Sequence, residues 1–216
     1  MFDVITEHEF ATKSFDYLYP HGSRQDNNTN PFFINEVLSY FNRNINVLDV
    51  GCAGGQMVID FANRGCTAIG IDGSDYMLKR GLFNWGIYYR KHLFNCDISK
   101  PFYIIETTTK TKLHFDLITA WEVPEHLKLY ELCTFFDNIR NNLKPDGLFV
   151  CSINFSVTNN PFHPGVNMHR TMFKEDFWRE NIIPDYFEVV EYPFKNAVRG
   201  FNDPYSFLLG MKLKND

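Results

Sequence analysis

The sequence has no excess of basic charge, no closely paired cysteines and no long apolar run. Its 21 Lys and Arg stand against 26 Asp and Glu, a formal net charge of -5 at pH 7. Duplex nucleic acid needs a basic face to neutralise phosphates, so it is disfavoured as the main partner. A small anionic substrate or a single RNA end stays open. The five cysteines (52, 66, 96, 133 and 151) are odd in number and contain no Cys-x-x-Cys. That pattern argues against a disulfide frame or zinc site and points to reduced core thiols. No stretch approaches the ~20 apolar residues of a membrane span. The start, Met1-Phe-Asp-Val-Ile-Thr-Glu7, lacks the basic and apolar regions of a secretion signal. A soluble cytoplasmic protein with no membrane partner is the expectation. The 216 residues, with no internal repeat, suffice for one domain with a three-layer core.

What the chain does have is Val47-Leu48-Asp49-Val50-Gly51-Cys52-Ala53-Gly54-Gly55. Asn44 to Val50 is apolar and β-branched enough for a buried parallel strand. Gly51, Gly54 and Gly55 permit positive φ and a close approach of ligand to backbone. A helix from about Gln56 to Asn63 then aims its free N–H groups at the turn. A phosphate cradle of the GxxxxGK[ST] type would carry Lys and Ser or Thr after the glycines, and neither is present. With Asp49 beside the turn, a cationic or zwitterionic ligand bearing hydroxyls and an amine is expected.

Strands and helices alternate around this turn. Residues 1–31 are aromatic and polar without a period, either a lid over a site or a frayed terminus. Pro31 to Asn42 repeats Ile34, Val37, Leu38 and Phe41 at helical spacing. Thr67 to Ile71 is the second strand, closing at Asp72-Gly73, 21 residues after Gly51. An acid there can accept from both hydroxyls of a ribose. Asp75 to Trp85 is a predicted helix, and His92 to Cys96 a third strand that ends at Asp97-Ile98. Lys100 to Lys112 reads as a loop or hairpin, and Phe115 to Trp121 as the fourth strand. A long helix follows Pro124, with Leu129, Cys133, Phe136, Ile139 and Leu143 on its buried face. Lys144-Pro-Asp-Gly147 is a turn feeding the fifth strand, Leu148 to Ile153. Residues 154–172 leave a central strand's carboxyl end, where α/β proteins place substrate loops. Phe173 to Asn181 is a short helix, and Phe187 to Tyr192 and Ser206 to Lys212 are closing strands, the last antiparallel. This is an α/β pattern: a Rossmann-like, mostly parallel seven-stranded sheet with helices on both faces.

Four features together resemble the motifs of the class I S-adenosylmethionine (SAM) methyltransferases. They are Asp49-x-Gly51-x-Ala53-Gly54-Gly55, Asp72 closing strand two, Asp97 closing strand three, and Leu143-Lys-Pro-Asp-Gly147. The resemblance implies SAM as cofactor, held by Asp49, Gly51, Ala53, Gly54, Gly55, Asp72, Gly73, Asp97, Ile98 and Trp121. It implies that Asp97 meets the adenine amine and that Ile98 covers the ring. Trp121 either stacks on substrate or cofactor or packs in the core. Ala53 departs from the family's usual glycine and narrows the turn slightly. An NAD fold, the competing reading, needs GxGxxG, whereas here the glycines fall at 51, 54 and 55.

Glu122-x-x-Glu125-His126 at the end of strand four carries two readings. Acids in a helix's first turn favour its dipole, with His126 a surface residue. Alternatively, two carboxylates and an imidazole are hard and borderline donors suited to Mg²⁺ or Mn²⁺. The motif is similar to that of the ubiquinone-pathway O-methyltransferases and the small-RNA 3′-terminal 2′-O-methyltransferases. That likeness implies a further histidine after strand five: His169 in Asn167-Met-His169-Arg-Thr-Met-Phe173 fits best, and His163 is the alternative. Glu122, Glu125, His126 and His169 then hold one divalent cation, with Glu125, His126 and His169 acting in catalysis. Without a metal, His126 or His169 is a general base. Pro124 stiffens this turn and can redirect Glu125. A cation with open positions chelates neighbouring hydroxyls and lowers the pKa of one. The implied acceptor is therefore a catechol, a sugar or a terminal ribose, and His169 to Trp178 also resembles methyltransferases found with surface-polysaccharide genes. The expected function is SAM-dependent O-methylation of a small molecule or sugar with a vicinal diol. The alternatives are 2′-O-methylation of an RNA 3′ end and a non-catalytic SAM-binding subunit. Tyr17, Tyr19 and His21 line the lid or pack in the core, and Lys79, Arg80, Arg90 and Lys91 form a solvated face.

Overall fold

The computed structural model describes residues 1–200 and 202–214. The chain begins with β1 (Phe2–Ile5), α1 (Phe15–Leu18), α2 (Gly22–Gln25) and α3 (Pro31–Phe41). Next come β2 (Asn46–Val50), α4 (Gln56–Ala62), β3 (Thr67–Asp72), α5 (Tyr76–Arg80), α6 (Trp85–Tyr88), β4 (Leu93–Asn95) and β5 (Tyr103–Glu106). The second half comprises β6 (Phe115–Trp121), α7 (Leu129–Asn142), β7 (Leu143–Asn154), α8 (Glu175–Phe177), β8 (Phe187–Val190) and β9 (Ser206–Leu213). Seven strands form one sheet in the order β4-β3-β2-β6-β7-β9-β8, parallel through β7, with β9 antiparallel to both of its neighbours. Strand order reverses between β2 and β6, which opens a crevice at their carboxyl ends. No helix among the described residues is long and apolar enough to cross a membrane.

Side-chain alternation along the strands divides the core into two faces. Val47, Ala68, Leu117 and Leu148 pack with Phe33, Val37 and Phe61 of α3 and α4. Leu48, Ile69, Ile118 and Phe149 pack with Phe135, Phe136 and Ile139 of α7 and with Trp178. Helix α3 starts as its sequence predicts: Asn30 Oδ1 accepts from the Phe32 and Phe33 N–H groups, and Pro31 needs no such partner.

Several elements differ from the sequence reading for identifiable reasons. The helix expected over Asp75 to Trp85 is split, because Gly81 and Phe83 adopt left-handed φ values of 60° and 49°. The buried stripe of α7 is Leu132, Phe135, Phe136 and Ile139, leaving Leu129 and Cys133 exposed. A 3₁₀ turn at Pro124–His126 and an extended Leu127–Lys128 link set this phase. Cys133 is therefore not a core thiol, whereas the other four cysteines are buried. Strand β7 begins at Leu143 rather than after Gly147, and Lys144 Nζ binds both oxygens of buried Asp116 at 2.9 Å. The helix expected over Phe173 to Asn181 is only α8 followed by a π turn at Trp178–Ile182. The segment 100–112, expected as a loop or hairpin, does turn back on itself through an Ile105–Lys112 bridge, and its β5 also pairs antiparallel with β1 and fastens the chain's first residues.

Candidate active site

The turn after β2 is held open by backbone geometry. Gly51 has φ +75°, and a Cβ there would sit 2.5 Å from Val123 Cγ2. Ala53 also takes a left-handed φ of 46°. Its N–H donates to Asp72 Oδ2 (3.1 Å), and its carbonyl accepts from the Trp85 indole N–H (2.6 Å). Those two bonds hold an alanine in a conformation that glycine adopts more easily. Asp72 Oδ1 accepts from the Ser74 N–H (2.8 Å), so each Asp72 oxygen keeps a lone pair for a ligand. Burial pushes the Asp72 carboxyl up to about 6. Asp49 lies deeper, accepts from Thr119 Oγ1 at 2.7 Å, and is pushed by burial to about 7.

A cavity of about 990 Å³ opens over these strand ends, at the upper end of the roughly 300–1,000 Å³ typical of ligand sites. Gly51, Ala53, Asp72, Gly73, Asp97, Ile98 and Trp121 all line it. Asp97 Oδ1 accepts from the N–H and hydroxyl of Ser99 at 3.0 and 2.7 Å. Trp121 packs edge-on against Phe33, 5.1 Å between centroids, while its buried indole N–H has no protein partner. Gly54 and Gly55 shape the turn without lining the cavity: Asn27 of the N-terminal segment packs on Gly54, and Leu93 packs on Gly55. Gly54 N–H donates to the Asp26 carbonyl (2.9 Å), and Asn27 Oδ1 caps α4 by accepting from the Gln56 N–H (3.1 Å). Asp49 likewise faces a small side chamber rather than the main cavity.

Two aperiodic segments complete the walls. In the first, the Ala11 N–H donates to the Gly73 carbonyl (2.9 Å), and Tyr17 OH donates to Asp75 (3.0 Å). The second, after β7, returns to the end of β6: the Arg170 and Thr171 N–H groups donate to the Glu125 carbonyl at 2.7 and 3.0 Å. The two segments meet where Asn160 Nδ2 donates to the Tyr19 carbonyl (2.8 Å) and His163 packs edge-on to Tyr19. His163 is thus spent on packing, and His169 is the histidine that reaches the β6 end.

Glu125, His126 and His169 converge, with one ligand atom from each within 4.8 Å of the other two. Glu125 is fully buried; its Oε1 accepts from the Asn154 N–H (2.8 Å), and its Oε2 has no partner. Burial pushes this carboxyl up to about 8, against the pull of His126. His169 Nδ1 lies 2.8 Å from the Ser156 carbonyl, which can only accept, so that nitrogen carries the proton and Nε2 is free. Burial, then the charge of His126, brings His169 down to about 4. His126 Nδ1 is 3.0 Å from Asp16 Oδ1, ion-pair distance without hydrogen-bond alignment. Burial opposes its charging, but Asp16, Glu125 and Glu122 prevail and raise it to about 9.

Glu122, the fourth expected ligand, does not join this cluster. It takes a left-handed φ of 52°, its N–H donates to the Ser152 carbonyl and hydroxyl, and its carboxylate turns to Arg199 at 3.4 Å. Asp16, Asp26 and Arg199 were not legible as site residues, since all three lie in segments without periodicity or motif. 

A family model described as a methyltransferase domain matches residues 24–187. Over 113 residues the chain is 34% identical to the bovine (Bos taurus) protein named ubiquinone biosynthesis O-methyltransferase, mitochondrial. That match covers 50% of this chain and 28% of the bovine protein's length. Among solved structures, a Pyrococcus horikoshii protein superposes with a TM-score of 0.63 at 18% identity, covering 92% of this chain and 99% of that one. A Burkholderia thailandensis 1,6-didemethyltoxoflavin-N1-methyltransferase, solved with S-adenosylhomocysteine, gives 0.59 at 18% identity over 93% and 84%. At such identities the structural likeness is one of fold, and the domain match supplies the family. This chain belongs to the class I SAM-dependent methyltransferases.

Proposed function

We propose that the domain methylates a hydroxyl of a small molecule or sugar bearing a vicinal diol, with SAM as donor and a divalent cation at Glu125, His126 and His169. The observation that carries this reading is the convergence of these three ligand atoms beside the cavity, whose wall His126 and His169 form, with the buried Glu125 carboxylate behind them keeping an unpartnered oxygen. With Glu122 outside the cluster, the donor set of one carboxylate and two imidazoles fits a borderline cation such as Mn²⁺ better than the hard, oxygen-seeking Mg²⁺, and three protein ligands would leave coordination positions for the acceptor. A cation there would lower the pKa of a hydroxyl it binds. The Asn154 N–H fixes the Glu125 carboxylate, and the Ser156 carbonyl fixes the His169 tautomer. The glycine turn, Asp72 and Asp97 would hold the nucleoside so that the acceptor oxygen meets the methyl carbon in line, and most of the acceleration comes from that positioning.

The choice of oxygen as acceptor rests on the sequence relatives, which are named O-methyltransferases. The charge around the turn supports a small acceptor over an RNA end. Asp26, Asp49 and Asp72 gather there, opposite in sign to a phosphate-binding groove. A metal-free reading also has its observation: His169 stays neutral with its Nε2 free and could act as a general base, whereas Asp16 favours the charged form of His126. Mn²⁺ titration followed by EPR, with S-adenosylhomocysteine present, separates the two. One tight site in the wild type that vanishes in Glu125→Ala supports the metal reading. No site in the wild type overturns it and leaves His169, the neutral imidazole of the pair, as the base.

A further inference from the structure

Beside the glycine turn lies a side chamber lined by Asp26, Asp49, Gly51, Trp121 and Arg199, four of which also line the main cavity. Arg199, on the link after β8, is the one cation among the chamber's described lining residues. Its Nη2 and Nε reach Asp26 Oδ2 at 2.5 and 3.1 Å, and its Nη1 lies 3.4 Å from Glu122 Oε2. Three of its five N–H donors are thus engaged, one of them at the limit of hydrogen-bond distance, and two stay free. Trp121, 8% exposed, contributes an unpartnered indole N–H to the same wall. The conformation of Glu122, left-handed for a side chain that does not favour it, marks the kind of strain that functional sites retain.

The amino-acid end of SAM is a zwitterion and needs both signs of charge. Its ammonium group can find carboxylates here, and among the charged residues lining the chamber only Arg199 attracts its carboxylate. We propose that Arg199 binds the α-carboxylate of the cofactor through its planar fork, and that Asp26 and Glu122 receive the α-ammonium. This assignment rests on the SAM reading of the glycine turn. It gives Glu122 a place in cofactor recognition and leaves Glu125, His126 and His169 for the acceptor. It also ties the N-terminal segment, through Asp26, to the last strand pair at the point where the cofactor ends.

The test compares two ligands by isothermal titration calorimetry: S-adenosylhomocysteine and 5′-methylthioadenosine, which has the nucleoside but no amino-acid end. Arg199→Ala is expected to weaken S-adenosylhomocysteine by roughly ten- to hundredfold, the scale of hydrogen bonds to a charged group. Methylthioadenosine affinity should stay within about twofold, which also reports an intact nucleoside pocket. Arg199→Lys, which keeps the charge but loses the fork, should fall between, again on S-adenosylhomocysteine alone. Unchanged S-adenosylhomocysteine affinity in Arg199→Ala overturns the Arg199 assignment and leaves the SAM reading standing. Equal weakening of both ligands in both variants likewise overturns it. Wild-type protein that binds neither ligand overturns the SAM reading itself, and this assignment with it.

Discussion

The His169 ring stands edge-on to the His126 ring, 5.0 Å between centroids at an interplanar angle of 76°. Forty-three positions apart in sequence, the two are joined because residues 170 and 171 bond back to the Glu125 carbonyl. The arrangement sets one imidazole that favours its charged form against one that stays neutral.

This geometry predicts how a metal site would respond to single changes. Glu125→Gln keeps an acceptor for the Asn154 N–H but removes the charge, so folding should survive. His169→Ala removes a ligand without touching Glu125. Each is expected to lower Mn²⁺ affinity by at least roughly tenfold, read by EPR, with circular dichroism unchanged. Full-strength Mn²⁺ binding in both variants would place any metal elsewhere.

Asp72 gives cofactor binding a pH dependence. Its carboxylate form is the better acceptor for ribose hydroxyls, and burial has raised its pKa to about 6. Affinity for S-adenosylhomocysteine should therefore rise from pH 5 to pH 7, with an inflection near 6. Asp72→Asn should bind more weakly and show a flat profile. The same steep dependence in the variant would assign the titration to another group.

Gly51→Ala tests the turn. A left-handed φ costs an alanine roughly 1–2 kcal/mol, and its Cβ would also press on Val123. A lower melting temperature and weaker S-adenosylhomocysteine binding are expected. The double variant Gly51→Ala with Val123→Ala removes the contact and leaves the φ cost, so it should recover only part of the loss. Complete recovery would mean that crowding alone disfavours a side chain there.

Asp116 links the start of β6 to Arg43, Lys144 and the Asn46 N–H, the last at 2.7 Å. Burial opposes its ionisation, but these partners outweigh it and hold its pKa below the usual carboxylate value. A group with a depressed folded pKa stabilises the protein above its unfolded pKa and loses that contribution as pH falls through the folded one. Asp116→Ala should therefore destabilise the protein at pH 7 by about 1–3 kcal/mol, the scale of losing hydrogen bonds to a buried charged group. The difference from wild type should shrink below pH 4 in chemical denaturation. A constant difference down to pH 2 would show that packing, not charge, is what was lost.

The sheet and its glycine turn were legible because local pattern determines them. Val47 to Val50 must be buried, glycine must follow where φ turns positive, and Asp72 and Asp97 close strands whose period is plain. The phase of α7 was not: Leu129 and Cys133 fit a helical stripe as well as Leu132 and Phe135 do, and only the 3₁₀ turn at Pro124–His126 selects between them. The motif Glu122-x-x-Glu125-His126 does follow β6, as its sequence implies, but the sequence could not divide its acids. Glu125 turns inward to Asn154 and His169, while Glu122 turns to Arg199, a residue of the last strand connection. The succession of strands and helices along the chain, and the glycine turn after β2, thus follow from the sequence by itself, since each depends on residues a few positions apart. The pairing of Asp26 and Glu122 with Arg199, and of His126 with Asp16 and His169, was decided by tertiary structure alone. Those groups come from segments without periodicity, and only the crossing of chain ends over the β2 and β6 termini brings their charges together.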